Sequence, residues 1–339
     1  MKAMDFLNGI VALANFVLIP AIAYGSQLAL GALGVTLIYG ILRFSNFAHG
    51  DTMAVGTMFA VLVTWGLQAM GVGLGPFPTA LLAIPFGILG ATALVLLTDK
   101  YVYSFYRAQK AKPVILVIVS MGVMFIYNGF TRIIIGPDDQ RFADGERFVI
   151  SAREFKAMTG LAEGLALRTS QVITVITAVV VVAALFWFLN KTRTGKSMRA
   201  FSDNEDLALL SGIDPERVVV VTWLIVASLA TVAGVLYGLD KSFKPFTYFQ
   251  LLLPIFAAAI VGGLGNPLGA IAGGFVIGFS EVGITYAWKK VLVYLMPPAL
   301  EPEGLVQMLS TEYKFAVSFV ILVIVLLFRP TGLFRGKSL

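Results

Sequence analysis

Apolar stretches recur at residues 8–23, 25–42, 52–70, 79–97, 113–135, 170–189, 218–239, 250–264, 267–285 and 312–328, and this recurrence constrains the fold more than any other feature of the chain. About 20 apolar residues in a helix cross a hydrocarbon layer of roughly 30 Å, and inside lipid only a helix or a closed barrel satisfies every backbone amide. Barrel strands would be shorter and would alternate polar with apolar residues, which these stretches do not. The pattern therefore predicts an all-α, polytopic membrane helical bundle of about ten transmembrane passes. Residues 1–339 read as a single transmembrane domain, without a low-complexity tract or a soluble module.

The composition agrees: 58% of the 339 residues are hydrophobic and 13% charged, where soluble domains carry about a quarter charged residues. The net charge of +6 does not point to nucleic acid, because the positive residues gather at the ends of apolar stretches, where orientation signals belong. With no cysteine and one histidine, neither disulfides nor a thiol nucleophile nor a metal site is expected. The start of the chain, with Lys2, an apolar run from Ile10 to Ile19 and the triplet Ala21-Ile22-Ala23, has the outline of a signal peptide. Asp5 cancels Lys2 and the apolar pattern continues, so the segment reads as an uncleaved first span.

Residues 98–112 carry Lys100, Arg107, Lys110 and Lys112 against one acid, and the tail carries Arg329, Arg335 and Lys337 against none. Both segments are expected on the cytoplasmic side. Alternation then places 136–169 and 240–249 outside and 190–217 inside, and an even number of passes puts both termini in the cytoplasm. Residues 286–311, with Pro297, Pro298 and Pro302 breaking any helix, form a second outside surface.

The polar island 190–217 stands between two long apolar runs. Ser202 and Glu205 have capping-box spacing, Asp203, Glu205 and Asp206 suit the positive end of a helix dipole, and Gly212 followed by Pro215 stops a helix. One short helix of about nine residues, roughly 13 Å long, is expected. Leu207 and Leu210, with Ala208 nearby, give it an apolar stripe for docking on a cytoplasmic partner subunit.

Two breaks interrupt the apolar pattern. The first runs from Arg43 to Asp51 and contains Asn46, His49 and Gly50; the second is Gly262-Gly263-Leu264-Gly265-Asn266-Pro267-Leu268-Gly269. Unwound backbone within a membrane is tolerated where it is buried or lines a cavity, so Asn46, His49, Gly50, Asp51, Gly262, Gly263, Gly265 and Asn266 are candidates for a substrate path. Both breaks also fit ordinary cytoplasmic turns. His49 and Asp51, two apart, do not face each other on a helix, so they are expected to hold the break by hydrogen bonds and not to relay protons. Gly265, Gly269 and Gly273, extended by Gly274 and Gly278, have the spacing that lets membrane helices approach closely, within the chain or between subunits. Gly195-Lys196-Ser197 and Gly336-Lys337-Ser338 mimic the end of a phosphate loop, but Asn190 and Thr331 stand where its first glycine belongs. Energy for any uphill transport must then come from an ion gradient or from another subunit.

Four stretches resemble the inner-membrane permeases of branched-chain amino-acid ABC transporters, LivH-like subunits in particular. They are residues 39–51, residues 193–200 continuing to Ala208 and Ser211-Gly212-Ile213, residues 261–270, and Leu327-Phe328-Arg329-Pro330-Thr331-Gly332-Leu333-Phe334, in family order over almost the whole chain. The resemblance implies a type II ABC importer-like permease in a bacterial inner membrane. Its implied partners are a second permease, two cytoplasmic ATPase subunits and a periplasmic or extracytoplasmic substrate-binding protein, with ATP and Mg used by the ATPases and no cofactor or metal held by this chain. The island would be the ATPase-coupling segment, through Arg193, Gly195, Arg199, Ala200, Asp203, Glu205, Ala208, Leu210 and Gly212. Leu253-Pro254-Ile255-Phe256-Ala257 and an inserted loop at 288–311 depart from the family pattern, which leaves urea or short amides beside branched-chain and other neutral amino acids as substrates. An ion-coupled secondary transporter or channel is the reading from a different class. A membrane enzyme is a poor reading, since no convergent nucleophile, base and oxyanion donor set is visible.

Overall fold

The structure, a computed structural model, describes residues 3–296 and 302–334; Pro297, Pro298, Arg335 and the Gly336-Lys337-Ser338 triplet lie outside them. Among the described residues nine helices are long and apolar enough to cross a membrane: α1 (Met4–Leu42), α2 (His49–Ala69), α3 (Ala80–Ala108), α4 (Pro113–Ile135), α6 (Thr169–Lys191), α9 (Pro215–Lys241), α10 (Pro245–Gly262), α11 (Pro267–Thr285) and α13, within Thr311–Phe328. Between α4 and α6 a short antiparallel pair, β1 (Phe148–Ile150) and β2 (Leu167–Arg168), brackets α5 (Ala152–Thr159), whose start is fixed by a Ser151–Glu154 capping box. The island forms α7 (Arg193–Asp203) and α8 (Glu205–Leu210), and α12 (Lys289–Leu295) lies in the segment before α13.

The expected first two passes, 8–23 and 25–42, are one continuous helix of 39 residues. A π turn over Ala14–Leu18 bonds the Ile19 amide to the Ala14 carbonyl and hands over to α-helix at Pro20, so the proline's missing N–H falls where the ladder changes step. At 1.5 Å per residue α1 is about 58 Å long, well beyond a bilayer core. This merger overturns the expectation that both termini share one side. The beginning of α1 lies against the 136–169 loop, with Asn8 and Asn15 accepting hydrogen bonds from the Glu163 and Ala166 amides. Residues 332–334 of the tail lie at the other end of the bundle, against α10 and the second break.

Connections at the two ends fix the bundle. At the end that carries the 136–169 loop Asp144 accepts from Thr79 and Gln68, Gln140 and Phe243 exchange backbone bonds, and Glu163 pairs with Lys290 and Tyr294. At the island end gather the first break, the 99–107 segment, the island and the second break.

The centre is formed by α1, α2, α9, α10 and α11, and glycines set the closest approaches. A Cβ on Gly278 would lie 2.7 Å from the Gly25 Cα, one on Gly274 2.6 Å from Ala29, and one on Gly262 2.0 Å from the Gly269 carbonyl oxygen. The small-residue spacing thus packs α11 on α1 and α10 within this chain. Glu281 is buried on α11 and accepts from Ser318 of α13, whereas Arg132 of α4 is exposed beside the Phe246 ring.

Candidate functional site

Three anchors hold the island on the bundle. Thr192 caps α7 by accepting from the Gly195 amide, and a Cβ on Gly195 would sit 2.2 Å from the Phe188 carbonyl oxygen, so only glycine lets the island turn this tightly off α6. Met198 and Phe201 are buried against the helices. At the far end of α7 the Arg43 guanidinium donates to the Ser202 carbonyl at 2.6 Å, a cation at the negative end of a helix dipole. Arg43 itself sits in the left-handed region, φ 60°, where it ends α1.

Ser202 lies within α7 and is not the cap expected of it. Asn204, extended at φ −152°, separates the two island helices, and its side chain accepts from the Leu207 amide. The one expected helix is two, because a short polar side chain at 204 offers the backbone a competing bond. Glu205 and Asp206 lie in the first turn of α8, and Gly212, at φ +77°, stops it as expected. Ala208 is buried toward the bundle, while Leu207 is 60% and Leu210 85% exposed. Arg193, Arg199, Ala200 and Glu205 show their side chains at the surface or part-way to it, and Asp203 closes α7. The island is therefore a two-faced element, with one face locked to the spans and one apolar edge uncovered.

The first break is held chiefly by Asn46. Its Oδ1 accepts from the Ala48 amide and from the Tyr103 hydroxyl, while Ser120 accepts from the Phe47 amide. His49 opens α2 fully buried, its ring against the Gly31 and Gly34 backbone of α1. Gly50 abuts the Tyr248 carbonyl, and Asp51 accepts from Asn128 of α4 at 2.8 Å. Asp51 thus ties α2 to α4, whereas the buried His49 ring packs on α1 with neither nitrogen hydrogen-bonded, so the break is held by Asn46 and Ser120 and not, as expected, by His49 and Asp51. Below it, Asp99 receives both arms of Arg107, at 2.5 and 2.9 Å, and the Trp223 indole at 2.7 Å, and Trp223 stacks on Tyr103.

The second break is a turn clamped by the tail. Gly263 and Gly265 have φ of +112° and +81°, and Asn266 caps α11 through the Leu268 and Gly269 amides. The Leu333 and Phe334 backbone amides donate to the Val261 and Gly262 carbonyls, the Asn266 side-chain Nδ2 donates to the Phe334 carbonyl at 2.8 Å, and Gly332 touches Gly263. Two of the four sequence stretches singled out above, 261–270 and 327–334, are thus one structural unit. Gly265 and Asn266 face the island across a cavity that also takes in the last turns of α1; Asn46, His49, Gly50 and Asp51 are packed instead among α1, α3, α4 and α10.

Sequence reasoning missed the Arg43 anchor, the Asn204 cap, the Asp99–Arg107–Trp223 cluster and the tail clamp. Only Asp99, an acid at the end of an apolar run, carried a signal, and its partners lie 8 and 124 residues away. Among the described residues no three His, Cys, Asp or Glu side chains are grouped to hold a metal ion. The site offers anchored and uncovered surfaces in place of reactive groups, which suits transmission of movement and not bond chemistry.

The model of a family described as the branched-chain amino acid transport system permease component matches residues 17–326. The high-affinity branched-chain amino acid transport system permease protein LivH of Salmonella typhimurium is 30% identical over 321 residues, 92% of each chain. LivH of Escherichia coli K12 is 29% identical with the same coverage, and BraD of Pseudomonas aeruginosa is 27% identical over 93% of this chain and 94% of its own.

Proposed function

Since the chain belongs to the permease family of branched-chain amino acid ABC transport systems, we propose that it forms one half of the path of an importer for branched-chain or other neutral amino acids, driven through the island. It is a transport subunit of a membrane complex and not an enzyme. A second permease completes the path, two ATPase subunits that bind ATP and Mg dock on the island, and a substrate-binding protein delivers the solute at the other end. The island end is cytoplasmic in this reading, because Lys100, Arg107, Lys110 and Lys112 gather there, and nine passes then put the start of α1 on the outer face.

One observation carries the reading: α8 exposes Leu207 and Leu210 on an element whose other face is locked to the bundle through Gly195, Met198, Phe201 and Arg43. A partner closing on that edge pushes on α6 and α1 together, because the anchors leave the island no independent hinge. Rocking of α1 against α10 and α11 then opens the path to alternate sides. His49, Gly50 and Asp51 lie on that seam, and the path reaches them only when α10 withdraws the Tyr248 carbonyl from Gly50. Gly262, Gly263, Gly265 and Asn266 form its cytoplasmic lip.

The test is purification from native membranes in mild detergent, with mass spectrometry and ATPase activity of the eluate. A co-purifying ATPase crosslinked to residues 198–212 supports the reading. A chain that elutes alone after crosslinking, and transports on an ion gradient without ATP, overturns it.

A further inference from the structure

Among the described residues four that are not glycine have positive φ, and one of them differs in kind. Arg43, Lys110 and Val306, at φ 60°, 51° and 49°, fall in the left-handed helical range, whereas Ser242, at φ 109° and ψ 165°, stands in a region essentially reserved for glycine. Gly136 makes the same bend after α4, at φ 86° and ψ 169°, without a side chain to clash. Ser242 ends α9 by donating its amide to the Gly238 carbonyl, and its hydroxyl has no partner among the described residues that would offset the strain.

Strain of this kind persists only where the surroundings fix the backbone, and here the next residue does so. Phe243 is fully buried and exchanges both backbone bonds with Gln140 of the 136–169 loop, at 2.8 and 2.9 Å. Its ring packs on Tyr248 with centroids 5.1 Å apart. The Tyr248 hydroxyl donates to the Gly234 carbonyl of α9, and the Tyr248 carbonyl abuts Gly50 of α2. Only residues 242–244 join α9 to α10, so a change of φ at Ser242 to the negative, extended range moves the start of α10.

We propose that Ser242 is a strained hinge of α10 and that the Gln140–Phe243 bridge is the catch that holds it. While the bridge is closed the strain favours release. When the 136–147 part of the loop moves, Phe243 leaves Gln140, Ser242 relaxes, and the start of α10 takes the Tyr248 carbonyl away from Gly50. Serine at 242 keeps the released state more populated than glycine would. Resting on the function proposed above, the device gives whatever loads the 136–169 loop a hold on the seam of the path, from the end of the bundle opposite the island.

The experiment is hydrogen exchange, resolved to single amides, of the full chain in nanodiscs. It needs no partner subunit, so its failure is separate from failure to co-purify an ATPase. Three amides report: Gln140 and Phe243, bonded across the bridge, and Thr247 in the first turn of α10, with the amides of residues 30–38 in α1 as reference. In Ser242→Gly the strain is gone, the freedom of glycine in the released state offsets part of the gain, and all three should exchange about fivefold slower. Ser242→Ala keeps the clash and should exchange as the wild type does. Ser242→Val adds a branch at Cβ and should exchange faster at all three; if it does not fold, the glycine and alanine variants decide. Exchange in Ser242→Gly equal to or faster than in the wild type overturns the strained hinge. Slowing at Phe243 and Thr247 without slowing at Gln140, which lies on a different element from the substitution, overturns the catch. Equal slowing of the α1 reference amides overturns both.

Discussion

Replacing Arg43 by Asn should loosen the island while leaving the bundle folded. Asn keeps the tolerance for the left-handed conformation that Arg43 adopts at φ 60°, so the substitution adds no backbone strain. What is lost is a single charge-assisted bond of 2.6 Å to the Ser202 carbonyl, from a partly exposed guanidinium. Such bonds contribute about 1.5–3 kcal/mol, and partial exposure selects the low end; loss of a cation at a helix C-terminus adds about 0.5 kcal/mol. The sum, about 2 kcal/mol, corresponds to a roughly 30-fold rise in the local opening equilibrium. Hydrogen exchange of the 193–212 amides in nanodiscs reads this directly, with the α9 and α10 amides as internal reference. Arg43→Lys, which keeps the charge and loses the planar fork, should fall between the two. Exchange faster by less than about threefold would refute the anchor; equal loss of protection in α9 and α10 would refute its local character.

Further outcomes are expected at three other places. Gly262→Ala drives a methyl to within 2.0 Å of the Gly269 carbonyl oxygen and should destabilise by at least the 1–3 kcal/mol typical of overpacking, roughly, read as a lowered unfolding temperature. Leu210→Asp changes a residue 85% exposed, so stability should move by less than about 0.5 kcal/mol, while ATPase co-purification is lost; retained co-purification would count against the docking edge. Burial pushes the Asp144 carboxyl up, but donation from Thr79 and Gln68 outweighs it and holds the pKa below the ordinary value. Its stabilising contribution is therefore complete above the ordinary carboxylate range and lost as the pH falls through the depressed folded value. Limited proteolysis of the 136–169 loop should stay constant from neutral pH down to that range and rise only in stronger acid, and Asp144→Ala should show the increase already at neutral pH.

The lengths of the apolar runs made most of the bundle legible, because spanning a bilayer fixes helix length whatever the packing. The first junction was not legible. The runs 8–23 and 25–42 read as separate passes, yet the π segment before Pro20 absorbs its missing N–H, and Gly25 serves as a contact for Gly278. The island's polarity, its Gly212 stop and its exposed leucines were readable from local spacing, whereas the choice of Asn204 over Ser202 as cap depends on where Arg43 and the end of α6 hold the helix. Asn46 and Asp51 were recognisable as unusual, but their partners Tyr103, Ser120 and Asn128 lie on other helices, and nothing local names them. For the same reason the tail motif was visible as a pattern while its seat on Val261 and Gly262 was not.

That seat bears on the order in which the molecule is made. Carbonyls at the end of a helix have no partner in their own helix, and those of Val261 and Gly262 are closed by amides of Leu333 and Phe334, which follow α11 and α13 in the chain and are made after them. Until then the turn between α10 and α11 lacks both of these partners. Closure of this turn thus waits for residues 333 and 334, and a chain truncated before residue 332 should be recognisable by a protease that cuts between Gly263 and Asn266 and spares the chain that carries them.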